Sequence, residues 1–160
     1  MKRILLLSGL LIILFSACKK QTFNDTRQAT IDELKIQAYI KANNIDSLTK
    51  DPSGLYYKII TQNPGAHPTD TNNVKIAVTG KLLNGTEFQT AATYTDTLST
   101  FVKGIQIGVP LLGTTGAAPF ARIRLIVPSA LGYGSVEQDG TVTIPANSVL
   151  DFTVDLQGFY

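Results

Sequence analysis

The sequence has one cysteine, one histidine and no apolar run long enough to cross a bilayer. Cys18 has no second cysteine to pair with, so disulfides contribute nothing to the fold. His67 lies in a proline-rich polar stretch with no second histidine and no acidic residue at ligand spacing, which indicates a surface loop residue. The longest apolar run, Ile4–Phe15, is about a dozen residues long, whereas a membrane-spanning helix needs about 20. We therefore expect neither a metal site nor a spanning helix.

The beginning of the chain has the features of an export signal followed by a lipid attachment site. A positively charged start precedes the apolar run, and Ser16 and Ala17 precede Cys18, as is typical of a secretory signal. Small residues that lead directly into a cysteine resemble the bacterial lipobox, although that pattern prefers a branched aliphatic residue where this chain has Phe15. The alternative is a secreted protein with one spare thiol.

We interpret residues 1–17 as a lipoprotein signal peptide and Cys18 as the lipidated first residue of the mature chain. The lipid would attach the protein to a membrane of the cell envelope, with the outer membrane as the expected one, facing the periplasm or the exterior. Removing Lys2 and Arg3 lowers the basic residues from 14 to 12, which equals the 12 acidic ones. This balance leaves no basic patch for nucleic acid.

The next segments read as a tether and a helix. Residues 18–28 are polar without periodicity and predict a flexible tether. Residues 29–52 predict an N-terminal helical extension, because Thr30 and Glu33 form a capping box and Asn43-Asn44 is a stop signal. The apolar positions of this helix form a short stripe made of Leu34, Ile36, Tyr39 and Ile40. So short a stripe needs a partner surface, and a homodimer through this helix would provide one.

Residues 53–160 predict one domain made mainly of strands. Leu55–Ile60 is rich in aromatic and β-branched residues, and Val74–Leu83 leads into Asn84-Gly85, a strong hairpin signal. Apolar and polar residues alternate over two later strands, Phe120–Val127 and Val149–Leu156, while Gly104–Leu112 is compatible with one short helix. Strands with few helices predict an α+β fold. The alternation places four charged residues on the solvent side of those two strands: Arg122, Arg124, Asp151 and Asp155.

Three blocks of sequence, in this order, resemble one family. Val78–Phe88 is similar to Tyr-Thr-Gly-x-Leu-x-x-Gly-x-x-Phe-Asp, and Val127–Gly134 resembles Ile-Pro-x-x-Leu-Ala-Tyr-Gly. Ile144–Phe152 resembles Ile-Pro-Pro-Asn-x-x-Leu-x-Phe. The three patterns are typical of the FKBP domain, the macrolide-binding type of peptidyl-prolyl isomerase, and the chain resembles that domain from Leu55 to Leu156. The resemblance implies a strongly curved antiparallel β-sheet wrapped on one short helix that contains Gly108–Leu112.

The activity that this resemblance implies is cis-trans isomerisation of X-Pro bonds in exported or unfolded proteins. Amide resonance sets a barrier of about 20 kcal/mol for this rotation, and lowering it requires no nucleophile, metal or cofactor. An apolar cavity that binds the twisted amide better than the planar one is sufficient. The resemblance places Tyr133, Phe88 and Phe152 in catalytic positions. It places the substrate-binding positions at Phe101, Val102, Ile144 and Tyr94, and at Val78, Gln89 and Ile105.

The last three of these positions depart from the family pattern. Val78 replaces a pocket tyrosine, Gln89 replaces an aspartate, and Ile105 replaces the tryptophan of the pocket floor. These changes predict weak or altered activity and argue against tight macrolide binding. The sequence therefore favours a prolyl isomerase of proline-containing polypeptides. Two alternatives remain, a non-catalytic chaperone or peptide-binding lipoprotein on the same fold, and a structural lipoprotein in which Phe88 and Phe152 are only core residues.

Overall fold

The structure, a computed structural model, describes residues 25–160. The predicted signal peptide, Cys18 and most of the predicted tether lie outside these residues. Two helices and six strands follow one another along the chain: α1 (Asp25–Ala42), β1 (Thr49–Lys50), β2 (Tyr56–Thr61), β3 (Asn73–Leu82), β4 (Glu87–Thr97), α2 (Lys103–Gly108), β5 (Ala121–Val127) and β6 (Leu150–Phe159). Neither helix of this part of the chain is long and apolar enough to cross a membrane.

All six strands form one antiparallel sheet in the order β1-β2-β5-β6-β3-β4. The predicted hairpin joins β3 to β4, where Leu82 N donates to Thr86 O over 2.9 Å and Gly85 has a φ of +89°. Only glycine adopts such a φ at low cost, which explains the Asn-Gly signal. The predicted α+β class and curved antiparallel sheet are confirmed.

The short helix α2 covers the inner face of the sheet. Ile105 in α2 and Val109 and Leu112 just after it are buried against the strands. We expected Gly108–Leu112 within the helix, but the α-helix ends at Gly108 and continues as a 3-10 turn over Val109–Leu111. Pro110 has no backbone N–H to give an α-helical hydrogen bond, which accounts for the change.

The outer face of the sheet is covered by α1. Ile36 of the helix packs on Tyr56, Ile126 and Val149 of the sheet side. The helix begins at Asp25, so residues 25–28 of the predicted tether are helical, and β1 lies within the predicted helical extension. Leu34, predicted in the apolar stripe, is instead 67% exposed.

The predicted capping box is wrong. Thr30 lies inside α1, where its hydroxyl donates to the carbonyl of Thr26 at 3.0 Å. Glu33 accepts from the Tyr56 hydroxyl at 2.6 Å and pairs with Lys50 at 2.9 Å. Both side chains are thus bonded away from the Thr30 and Glu33 backbone amides that a capping box requires.

The prediction of a solvent-facing charged row is wrong for two of its four members. Asp151 is 7% exposed and accepts from Arg124 at 2.6 Å and from the Tyr39 hydroxyl of α1 at 2.8 Å. Arg124 is half-buried by the same contact. Farther from α1, Arg122 stays exposed and pairs with Asp155 across β5 and β6. The helix therefore covers one of two neighbouring ion pairs.

Candidate functional site

A cavity of about 430 Å³ opens on the inner face of the sheet, beside α2. Strand β3 provides one wall, β4 and β6 provide others, and the β5–β6 connection closes the fourth side. All ten residues predicted as catalytic or substrate-binding line this one cavity: Val78, Phe88, Gln89, Tyr94, Phe101, Val102, Ile105, Tyr133, Ile144 and Phe152. The structure thus brings together positions that lie up to 74 residues apart in the sequence.

Aromatic rings form the walls. The rings of Phe88 and Phe152 meet edge to face with centroids 5.7 Å apart, and those of Tyr94 and Phe101 do so at 6.4 Å. Edge-to-face pairs of this kind are attractive and fix the ring planes. Phe152 is buried, whereas Phe88 is half-buried and borders the opening.

The close approach of Phe88 and Phe152 depends on Gly80 in β3. A Cβ atom at this position would lie 2.6 Å from two ring carbons of Phe88 and 2.9 Å from one of Phe152. Both distances are well below van der Waals contact between carbons, which is about 3.5–4.0 Å. The position in the Val78–Phe88 block therefore requires glycine, because any side chain there would collide with the two rings.

Tyr133 brings a hydroxyl to the cavity lining. Its hydroxyl makes no hydrogen bond to any group within residues 25–160. Burial raises the pKa of this phenol, and the nearby Tyr94 raises it further. Tyr133 therefore keeps its proton at neutral pH and can donate it to a hydrogen bond.

The β5–β6 connection adds a segment that the sequence reasoning missed. Residues 138–142 line the cavity together with Thr100. Gln138 and Ile144 exchange two backbone hydrogen bonds of 3.0 and 2.9 Å, which close a small loop over the opening. Asp139-Gly140 at the tip is a hairpin signal that could have revealed it. Of the described residues around the cavity, only Asp139 is charged.

The three positions that depart from the family pattern also face the cavity. Val78 and Ile105 are 4% and 3% exposed and make its floor apolar. Gln89 donates its side-chain amide to the carbonyl of Thr90 at 2.8 Å. The amide is thus bonded to its own strand and brings no charge to the cavity, unlike the aspartate of the family pattern.

The described part of the chain contains no cluster of side chains that could hold a metal ion. Nowhere in residues 25–160 do three or more His, Cys, Asp or Glu side chains come together. His67, predicted as a loop residue, is exposed and its Nδ1 lies 2.9 Å from the carbonyl of Pro110.

Comparison with known proteins gives one consistent result. A family model described as FKBP-type peptidyl-prolyl cis-trans isomerase matches residues 65–157. The isomerase FkpA of Aeromonas hydrophila is 31% identical over 135 residues, covering 81% of this chain and 47% of the relative. A probable FkpA of Neisseria meningitidis is 34% identical over 133 residues, covering 80% and 46%. This chain therefore spans about half the length of these curated relatives.

Solved structures agree on the fold. The crystal structure of FkpA from Escherichia coli superposes with a TM-score of 0.66 at 24% identity. The match covers 84% of this chain and 62% of that one. At this identity the match supports the fold alone.

Proposed function

Because this chain belongs to the family of FKBP-type peptidyl-prolyl cis-trans isomerases, we propose that its cavity binds X-Pro segments and catalyses rotation about the X-Pro bond. The observation that supports this most directly is the placement of Phe88, Tyr133 and Phe152 around one apolar cavity with a protonated hydroxyl. The substrates would be exposed X-Pro segments of unfolded, exported polypeptides.

The rate increase would come from stronger binding of the twisted amide. A planar amide is stabilised by resonance and by water, and the resonance is lost when the bond rotates. A dry cavity walled by Phe88 and Phe152 removes the water and favours the less polar, twisted form. The Tyr133 hydroxyl would donate a hydrogen bond to a substrate carbonyl and fix its position. None of these steps needs a group outside the chain.

The first test measures the cis-to-trans conversion of short X-Pro peptides by the purified protein, with a protease-coupled or fluorescence assay as the readout. We expect acceleration, and Tyr133→Phe should lower kcat/KM roughly three- to tenfold because it deletes one neutral hydrogen bond. The matched control is Tyr160→Phe, which removes a hydroxyl from a tyrosine that is 74% exposed and does not line the cavity. If Tyr133→Ala left the rate unchanged, the pocket assignment would be wrong.

The second candidate function is a non-catalytic peptide-binding or chaperone module. Its motivation is the apolar floor made by Val78 and Ile105 and the uncharged Gln89. In that case an X-Pro peptide would shift NMR signals of the cavity residues without faster isomerisation. Replacing the three by the Tyr, Asp and Trp of the family pattern should then create activity, provided the variant still shows a cooperative unfolding transition. A folded variant without activity would contradict the idea that these changes caused the loss.

We further propose that Cys18 is acylated and attaches the protein to an envelope membrane. Support comes from the residues before Cys18, which resemble a lipobox. Mass spectrometry of the mature N-terminus tests this, since acylation adds a defined mass to the peptide that starts at Cys18. An unmodified thiol there would favour the secreted alternative.

Dimerisation through α1 stays a prediction. The Ile36 side of the helix is already buried against the sheet, so a second copy would have to contact the side with Ile31 and Leu34, which are 39% and 67% exposed. Analytical ultracentrifugation of the purified protein decides between monomer and dimer.

A further inference from the structure

Asp32 is a buried carboxylate of α1 that the proposed chemistry does not use. It is 1% exposed and accepts hydrogen bonds from three uncharged donors. Gln28 of the same helix donates at 2.7 Å. The backbone N–H and the hydroxyl of Ser129 donate at 2.8 and 2.6 Å. Burying a carboxylate has a large desolvation cost, which several donors together must offset.

Ser129 connects this carboxylate to the cavity. It opens the 3-10 turn Ser129–Leu131 that follows β5. Its carbonyl accepts from Gly132 N at 3.0 Å and from Gly134 N at 2.8 Å. These two glycines flank Tyr133 on either side. The main chain of Ser129 is therefore held by Asp32 on its N–H side, and it holds both neighbours of Tyr133 on its C=O side.

The position of Tyr133 matters because its flanking residues have unusual backbone freedom. Gly134 has a φ of +61°, a conformation that glycine adopts without strain. A segment with a glycine on each side of the ring is intrinsically flexible, so external hydrogen bonds must define where the phenol points. Gly134 O accepts from Asn147 N at 2.8 Å, and Tyr133 O accepts from Val136 N at 3.4 Å. The other two backbone bonds of the segment go to Ser129 O.

We propose that Asp32 is a positioning residue for Tyr133, so that the N-terminal helix is a working part of the catalytic site. The inference rests on the proposed function of Tyr133. Asp32 touches no substrate, since it lies on the outer side of the sheet with α1. It acts by fixing Ser129, and through Ser129 the segment that presents the Tyr133 hydroxyl to the cavity. Loss of Asp32 leaves both donors of Ser129 without their acceptor.

The activity test compares Asp32→Ala in two backgrounds. With Tyr133 present, we expect kcat/KM to fall about threefold to fivefold, no more than in Tyr133→Phe, because a displaced hydroxyl loses part of its effect on the rate. In the Tyr133→Ala background the same change should cost less than about twofold, since the residue that it positions is gone. Asp32→Asn keeps a carbonyl oxygen for Ser129 and should restore most of the activity.

The matched control is Ile36→Ala. Ile36 lies on the same helix and is equally buried, but it packs on the sheet and does not bond to Ser129. It loosens the docking of α1 without removing the acceptor. If Ile36→Ala and Asp32→Ala lowered activity equally, and did so in both backgrounds, Asp32 would act through stability alone and the proposal would be overturned.

A measurement that does not depend on isomerase activity tests this proposal separately from the proposed function. Amide hydrogen exchange at Gly132 and Gly134 should accelerate in Asp32→Ala and stay near the wild-type rate in Ile36→Ala. Unchanged exchange in Asp32→Ala would contradict the proposal even in an active enzyme. If Asp32→Ala does not fold, Ser129→Ala serves instead, because it removes one of the two bonds and should give a smaller effect of the same kind. A wild-type protein without isomerase activity would refute the proposed function, and the exchange data would still test the link.

Discussion

Replacing Gly80 by alanine should change both stability and activity through one added methyl group. Gly80 lies opposite Phe152 of β6 and Gln89 of β4 in the sheet. The new Cβ would be 2.6 Å from ring carbons of Phe88 and 2.9 Å from the ring of Phe152. Carbon atoms pack at about 3.5–4.0 Å, so the ring of Phe88 must retreat by about 1 Å.

The two rings differ in how easily they can move. Phe152 is 3% exposed and belongs to the buried core, whereas half-buried Phe88 can swing toward the cavity. Overpacking typically costs about 1–3 kcal/mol. Alanine also lowers the conformational entropy of the unfolded chain relative to glycine, which offsets about 0.4–1 kcal/mol of this cost. We expect a net loss of about 1–2 kcal/mol, together with a lower kcat/KM because the displaced ring narrows the cavity.

The assay is urea unfolding combined with peptide isomerisation, with Gly158→Ala as the matched control. Gly158 also lies in a central strand, β6, but a Cβ there meets no atom within 4 Å. We expect Gly158→Ala to be neutral or slightly stabilising and fully active. Adding Phe88→Leu to Gly80→Ala should recover part of the lost stability, since the smaller side chain makes room. If Gly80→Ala behaved like Gly158→Ala in both measurements, the steric reasoning would be refuted.

Two further results are expected. The pKa of Tyr133 is raised by burial and by Tyr94, so its hydroxyl stays protonated and should add no ionisation to the pH profile of kcat/KM between about pH 6 and 9. A decline of kcat/KM in this range that is absent from Tyr133→Phe would contradict this environment of the phenol. Arg124→Ala should destabilise the protein by about 3 kcal/mol because it leaves buried Asp151 without its cation. Arg122→Ala, at the more exposed pair with Asp155, should cost less than about 1 kcal/mol. Equal losses in urea unfolding would show that α1 does not shield the inner pair.

Local signals in the sequence predicted β2, β3, β5 and β6 and the hairpin after β3, whereas the cavity positions came from the family resemblance. Asn84-Gly85 predicts the hairpin because its turn type requires a positive φ, and Gly85 has one. The three blocks contain Phe88, Tyr133 and Phe152, which line one cavity although each block runs across more than one element. Tyr94 lies outside them and still lines the cavity, since it follows Phe88 along the same strand.

Long-range side-chain contacts were beyond the reach of local patterns. Asp32 and Glu33 look like ordinary acidic residues near a helix start, yet Asp32 binds Ser129, 97 residues away, and Glu33 binds Tyr56. Alternation assigns Asp151 to the outer face of the sheet correctly, but it contains no information on what covers that face. The covering helix, whose Tyr39 reaches Asp151, is what makes this carboxylate buried.

The place of β6 in the sheet determines when the domain can form. This strand comes last in the described chain, yet it lies in the middle of the sheet with β5 on one side and β3 on the other. Before it is present, the described strands form two separate sets, β1-β2-β5 and the β3–β4 hairpin. Contacts between residues so distant in sequence form slowly, because a large loop must close first. A nascent chain that has emerged only as far as Val149 thus has neither a continuous sheet nor the Phe152 wall of the cavity.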